Sequence, residues 1–186
     1  MKRLPPERES QYPNLRSNGY WVSSKTTENE LVKYNCVALA ACDDLTVWWE
    51  PSTMNSKSVI RPGRYWPLEL TDDFLSTYCK LFESLGYRQC PNARLELLYE
   101  KIALYGDSDD CFLHVAYQLY FGWISKMGDR HDITHRTLKA LENDEYGKAK
   151  IFMKKRCDIR GYLSRAFFNW TSRNWPVNRR NIQHFS

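Results

Sequence analysis

Residues 111–127, CFLHVAYQLYFGWISKM, hold two apolar runs, Cys111–Tyr120 and Trp123–Met127, joined at Phe121-Gly122. Short apolar runs broken by turn residues read as successive strands of an antiparallel sheet. A third run, Glu100–Tyr105, precedes them across the turn Asp107–Asp110. Together the three predict an antiparallel meander.

Helical spacing dominates upstream. In TDDFLSTYCKLFESLGY, residues 71–87, the positions Phe74, Tyr78, Leu81, Phe82 and Leu85 line one helix face, with Thr71 as N-cap and Gly86 as the stop. Further back, CVALAACDD, residues 36–44, is an Ala-rich stretch that suits a short, tightly packed helix opening at Cys36 and ending near Asp43-Asp44. Between them, Val47–Pro67 reads as a loop anchored by Trp48, Trp49, Tyr65 and Trp66. HDITHRTLKALEND, residues 131–144, returns to helical spacing, with Asp132 as its N-cap. EYGKAKIFMKKR, residues 145–156, fits a helix or a strand. Helices first and sheet later make an α+β fold.

At 186 residues the chain suits one domain: a polar, proline-containing arm at 1–27 lying on or off it, the α+β domain at 28–157, and a basic aromatic extension at 158–186. Aromatic residues at 15% exclude a disordered class. No apolar stretch is long enough for a membrane span or a secretory leader, so a cytoplasmic location is expected, with export by a dedicated secretion system as the other route. The 6 cysteines lack CxxC pairs, which argues against a zinc ribbon or a disulfide scaffold.

Net charge is +5, and the excess lies late in the chain. From Lys148 to Arg180 the only acid is Asp158. Arginines alternate with rings between Arg160 and Arg180, a composition able to hold a protein groove or single-stranded nucleic acid. The plainer expectation, preferred here, is a helix from Arg160 to about Thr171 packing Leu163, Phe167 and Trp170 on the domain with its arginines in water. Oligomeric state leaves no trace in the sequence.

Cys36 and His114 are the candidate chemistry. A nucleophilic cysteine benefits from the free N–H groups of a helix start and from a histidine that moves its proton. Cys36 has the helix start, and His114 sits early in a core strand. A polar group on the next strand would orient the imidazole, and Ser125, Lys126 and Asp129 stand there. The plain alternatives are a packed thiol and a core histidine. His131 and His135 at helical spacing raise a metal site, which Asp132 as a cap explains away more simply.

This order, a cysteine opening an early helix, a histidine on a strand and a polar residue on the following strand, resembles the papain-like superfamily, including NlpC/P60 and CHAP amidases and transglutaminase-like enzymes. YNCVALA, residues 34–40, is similar to the nucleophile helix of NlpC/P60 domains. Residues 114–128 are similar to the histidine strand and its successor. The pieces YNC, YWP, KIALY and the His114 strand also resemble a bacterial domain family of unknown function over about residues 34–155.

The superfamily resemblance implies a papain-like core and a cysteine hydrolase or acyl transferase acting on an amide or thioester: peptidase, amidase, deamidase or transglutaminase-like. In that scheme Cys36 attacks, His114 moves the proton, and Ser125 or Asp129 orients the ring. Papain-type enzymes place a glutamine six residues before the cysteine. Here that residue is Glu30, so the oxyanion donors become Gln118 and the backbone N–H of Cys36.

Asn35, Trp49, Trp66 and Trp123 would line a protein or peptide-like substrate, and Lys126 and His135 would stand behind the site. No metal or organic cofactor is required and no membrane contact is expected. The rival expectation is an inactive domain of the same fold that binds a protein or nucleic acid through its C-terminal region.

Overall fold

The structure is a computed structural model and describes residues 3–22, 34–42, 47–48, 64–68, 73–128 and 131–158. Its frame is the meander: β5 (Tyr99–Gly106), β6 (Phe112–Leu119) and β7 (Gly122–Lys126), antiparallel in series. β8 (Asp132–His135) follows β7, and β9 (Lys148–Arg156) returns to the other edge of β5. Two short strands, β1 (Tyr20–Val22) and β4 (Arg88–Cys90), close the ends. The sheet order is β1-β8-β7-β6-β5-β9-β4. A separate parallel pair of two-residue strands, β2 (Val47–Trp48) and β3 (Arg64–Tyr65), lies apart from it.

Successive strand residues point to opposite faces, so the central strands serve two cores. Ile102, Leu104, Val115, Tyr117 and Ile124 join Val37, Leu39, Leu81 and Phe82 on one face. Ala103, Tyr105, Ala116, Trp123 and Ile133 join Tyr12, Leu15, Leu141 and Tyr146 on the other. Burial on both faces explains why these strands read as nearly continuous apolar runs.

The helix Leu75–Ser84 packs Leu75, Tyr78, Leu81 and Phe82 on the first face, and Tyr78 stacks on Phe112 at 3.5 Å between ring centroids. It ends before Gly86, whose φ of 87° needs glycine. It begins later than expected: Phe74 is extended and bridges Cys111, while Thr71 lies outside the described residues. At Gly106 a β-carbon would stand 2.8 Å from both the Cys111 carbonyl and a Leu75 methyl, so glycine lets the end of β5 meet this helix.

The cysteine helix is Cys36–Ala40, with every side chain buried. Asn35 starts it. Its Oδ1 accepts from the Ala38 N–H at 3.0 Å and the Trp48 N–H at 3.3 Å, while its Nδ2 donates to the Trp48 carbonyl at 2.5 Å. One amide side chain therefore fixes both the helix start and β2. Asn35 caps and ties; it is not oriented as a substrate ligand.

Two expectations are corrected. Residues 132–135 form a strand rather than a helix, and only Leu138–Leu141 turns, as a 3-10 helix. Flanked by β7 and β1, Asp132–His135 is buried at all four positions, and this pairing overrides a helical spacing that is weak in Ile133 and Thr134. His131 and His135 therefore share no helix face, and Asp132 caps nothing.

The expected arm also belongs to the domain. Tyr20–Val22 is the sheet's β1 edge, and Leu4, Tyr12 and Leu15 are buried in the second core. Residues 145–156, left between helix and strand, are largely β9. The extension beyond residue 158 lies outside the described residues.

Removing the Asn35 cap and its tie to Trp48 leaves buried backbone groups unsatisfied. Asn35→Ala is expected to lower unfolding free energy by about 2 kcal/mol in urea titrations. A loss of only a few tenths would mean that the helix start and β2 do not depend on it.

Candidate functional site

β6 and β7 stay together only near their hairpin. Their pairing runs from Leu119↔Gly122 to Tyr117↔Ile124 and ends there; beyond it β6 stays with β5, and β7 with β8. The cysteine helix packs against both strands. The backbone N–H of Val115, on the stretch of β6 that has left β7, faces the Cys36 thiol. Cys36 thus occupies the place where the two strands part.

The thiol is buried, at 7% exposure. Burial pushes its pKa up to about 11, against the pull of the N–H groups of Val115, Val37 and Cys36 and of the Lys126 ammonium. At neutral pH it rests as the thiol. Lys126 is itself fully buried on Cys36's side of β7, two residues along from Ile124. Its Nζ lies 5.1 Å from the centre of the Tyr34 ring. It pairs in register with Asp132, whose Oδ2 accepts the Tyr34 hydroxyl at 2.6 Å.

His114 points to the other face. It pairs in register with Tyr105 and stacks on Tyr146, with ring centroids 4.4 Å apart. Burial, helped by the nearby His135, pushes its pKa down to about 3, so it rests neutral. Its Nε2 is buried without a hydrogen-bond partner among the described residues. Tyr146 links the two sides electrostatically. Burial above all raises its pKa, with Tyr12 and Glu145 adding to it, and Cys36 is close enough to contribute in the same direction.

Among the described residues no two members of the expected triad are joined. Among the described residues no hydrogen bond joins Cys36 to His114, and Ser125 serves His135 instead: Oγ and Nε2 are 2.9 Å apart. His135 Nδ1 lies 2.8 Å from the Thr137 carbonyl and must donate to it. Nε2 of the neutral ring is then the acceptor of the Ser125 O–H. His135 is buried, and that burial, opposed by the Thr137 bond, pushes its pKa down to about 4.

The other expected site residues divide as follows. Gln118 is corrected as an oxyanion donor: its Nε2 donates to the Ala93 carbonyl at 2.6 Å, tying down the 91–98 loop on the face opposite Cys36. Trp123 is buried in that second core rather than lining a groove. Trp66 packs edge-on against Tyr78 at 5.4 Å on the Cys36 face. Trp49 and Asp129 lie outside the described residues. Ser125 and Lys126 take opposite faces, as strand alternation requires.

Three contributors went unforeseen. Tyr34, Asp132 and Tyr146 all stand near the thiol or its neighbours. Tyr34 lies two residues before Cys36 and was open to notice; Asp132 comes to Lys126 through the β7–β8 pairing, and Tyr146 is placed by stacking on Tyr12 and His114.

The buried neutral histidines generate a stability prediction. The unfolded chain protonates both near pH 6.5, whereas the folded chain resists until about 3 and 4. Their contribution is complete above pH 6.5 and is lost as pH falls toward 4. Between pH 6 and 5 the pair should remove about 2 kcal/mol of unfolding free energy, measured by denaturant titration. His135→Asn should halve that slope, and a flat profile would contradict the burial.

No helix among the described residues is long and apolar enough to cross a membrane. No curated protein and no solved structure matches the chain. One family model does, over residues 20–154, a span that takes in β1, the cysteine helix and nearly all of β9. The chain belongs to that family, described as a domain of unknown function, DUF7689.

Proposed function

We propose that the protein is a papain-like cysteine hydrolase or acyl transferase that uses Cys36 on an amide or thioester of a protein or peptide-like substrate. The observation that carries this reading is the position of the thiol. It lies where β6 and β7 part, beside the N–H of Val115, the residue that follows His114, whose buried Nε2 on the other face has no hydrogen-bond partner among the described residues. A buried unpaired nitrogen is costly in a fold and is a common mark of a working site. The order of cysteine helix, histidine strand and following strand supports the same class.

Both groups rest neutral, so attack and proton transfer are coupled rather than preceded by a thiolate–imidazolium pair. Sulfur bonds to the carbonyl carbon as His114 takes the thiol proton. The leaving amine or thiol then departs with that proton, and the acyl group remains on Cys36 as a thioester. Water or an amine next attacks the thioester, giving its proton to His114, which passes it to the departing sulfur and so restores the thiol. The N–H groups of Cys36 and Val37 stand beside the sulfur, where the oxyanion develops.

A second reading, an inactive binding module, is favoured by one observation: His114 turns to the face opposite the one that holds Cys36. The two readings separate by acylation. With p-nitrophenyl acetate and peptide mapping, Cys36 is expected to acetylate faster than the half-exposed Cys42, Cys90, Cys111 and Cys157. His114→Ala should slow Cys36 by about 100-fold or more. Label confined to the half-exposed thiols, or a rate indifferent to His114, would overturn the enzyme.

A further inference from the structure

A lysine with no exposed surface lies on the same face of the sheet as the candidate nucleophile. Lys126 lies on the Cys36 face of β7, under the Tyr34 ring at 5.1 Å and in register with Asp132. The Tyr34 hydroxyl donates to Asp132 Oδ2 at 2.6 Å. Burying an ammonium is expensive, and a folded protein keeps one only where counter-charge and ring contacts hold it. Here the segment that carries Cys36 also supplies one wall of the lysine's enclosure, because Tyr34 and Cys36 are two residues apart and share one core.

We propose that Lys126, set by Asp132 and Tyr34, is the charge partner of Cys36: its ammonium stabilises the negative charge that develops on sulfur. The inference rests on Cys36 being the nucleophile and goes beyond it. It assigns the electrostatic part of the site to the lysine side of the sheet and leaves proton transfer to the histidine side. Lys126 acts through its field, not as an acid or base. The titratable groups that act on the thiol or respond to it are Lys126 on β7 and Tyr146 beyond the 3-10 helix, with Tyr34 over the lysine and hydrogen-bonded to Asp132 on β8. Lys126 is the cation among them.

The test is the pH profile of iodoacetamide alkylation at Cys36, read by peptide mass, with Cys79 as internal reference. Cys79 is also pushed up to about 11, by burial and then by Glu83. Lys126→Met should move the Cys36 profile up by about one pH unit, and Lys126→Arg should leave it close to wild type. Cys79 should be unmoved in both. Superimposed Cys36 profiles for wild type and Lys126→Met would overturn the proposal, as would equal shifts at Cys36 and Cys79.

A wild-type measurement covers a variant that does not fold. The rate ratio of anionic iodoacetate to neutral iodoacetamide should be several-fold higher at Cys36, beside a cation, than at Cys79, beside Glu83; equal ratios would overturn the proposal. Failure here leaves acylation at Cys36 standing. Failure of acylation with these shifts intact sinks the enzyme but not the lysine–thiol pair.

Discussion

The arrangement around Cys36 depends on two strands ceasing to pair. A backbone N–H that leaves a sheet ladder inside a protein must find another acceptor or remain unsatisfied. At Val115, beyond the last paired residues of β6 and β7, the N–H lies close enough to the Cys36 thiol to favour its charged form. The cysteine helix can pack against β6 and β7 at this point because the ladder has opened. From there the thiol is in electrostatic reach of Lys126 on one side and Tyr146 on the other.

Much of this was legible in the sequence, for identifiable reasons. β5, β6 and β7 pair with sequence neighbours across short turns, so apolar runs and glycine positions sufficed. The Ala-rich stretch announced the cysteine helix, whereas Asn35, expected to line a substrate, is its N-cap. That Ser125 and Lys126 take opposite faces followed from period two alone. β1 and β8 were not legible, since their stability comes from each other across more than a hundred residues, and a tyrosine–tryptophan pair in a polar, proline-containing leader does not advertise a sheet edge.

The site was half legible for the same reason. Residue types and their order pointed to Cys36 and His114, but sidedness depends on which face the helix covers, and one-dimensional spacing does not contain that. Alternation then separated what order had joined: Val115 lies with Cys36, and His114 with Tyr105 and Tyr146. Ser125 went to His135, a partner hidden by the helical misreading of residues 131–144. The consequence is chemical. Thiol and imidazole both rest neutral and on opposite faces, so in the proposed reaction proton transfer would accompany attack rather than precede it.

The most direct measurement is the change in backbone and tyrosine-ring NMR shifts when Cys36 is replaced by alanine. If the thiol occupies the gap, the Val115 amide should shift most among β6 amides, and the Tyr146 ring on the far face should respond together with residues around Lys126. Perturbations confined to the helix and its own core, with Val115 and Tyr146 unmoved, would contradict the account and return Cys36 to the status of an ordinary packed thiol.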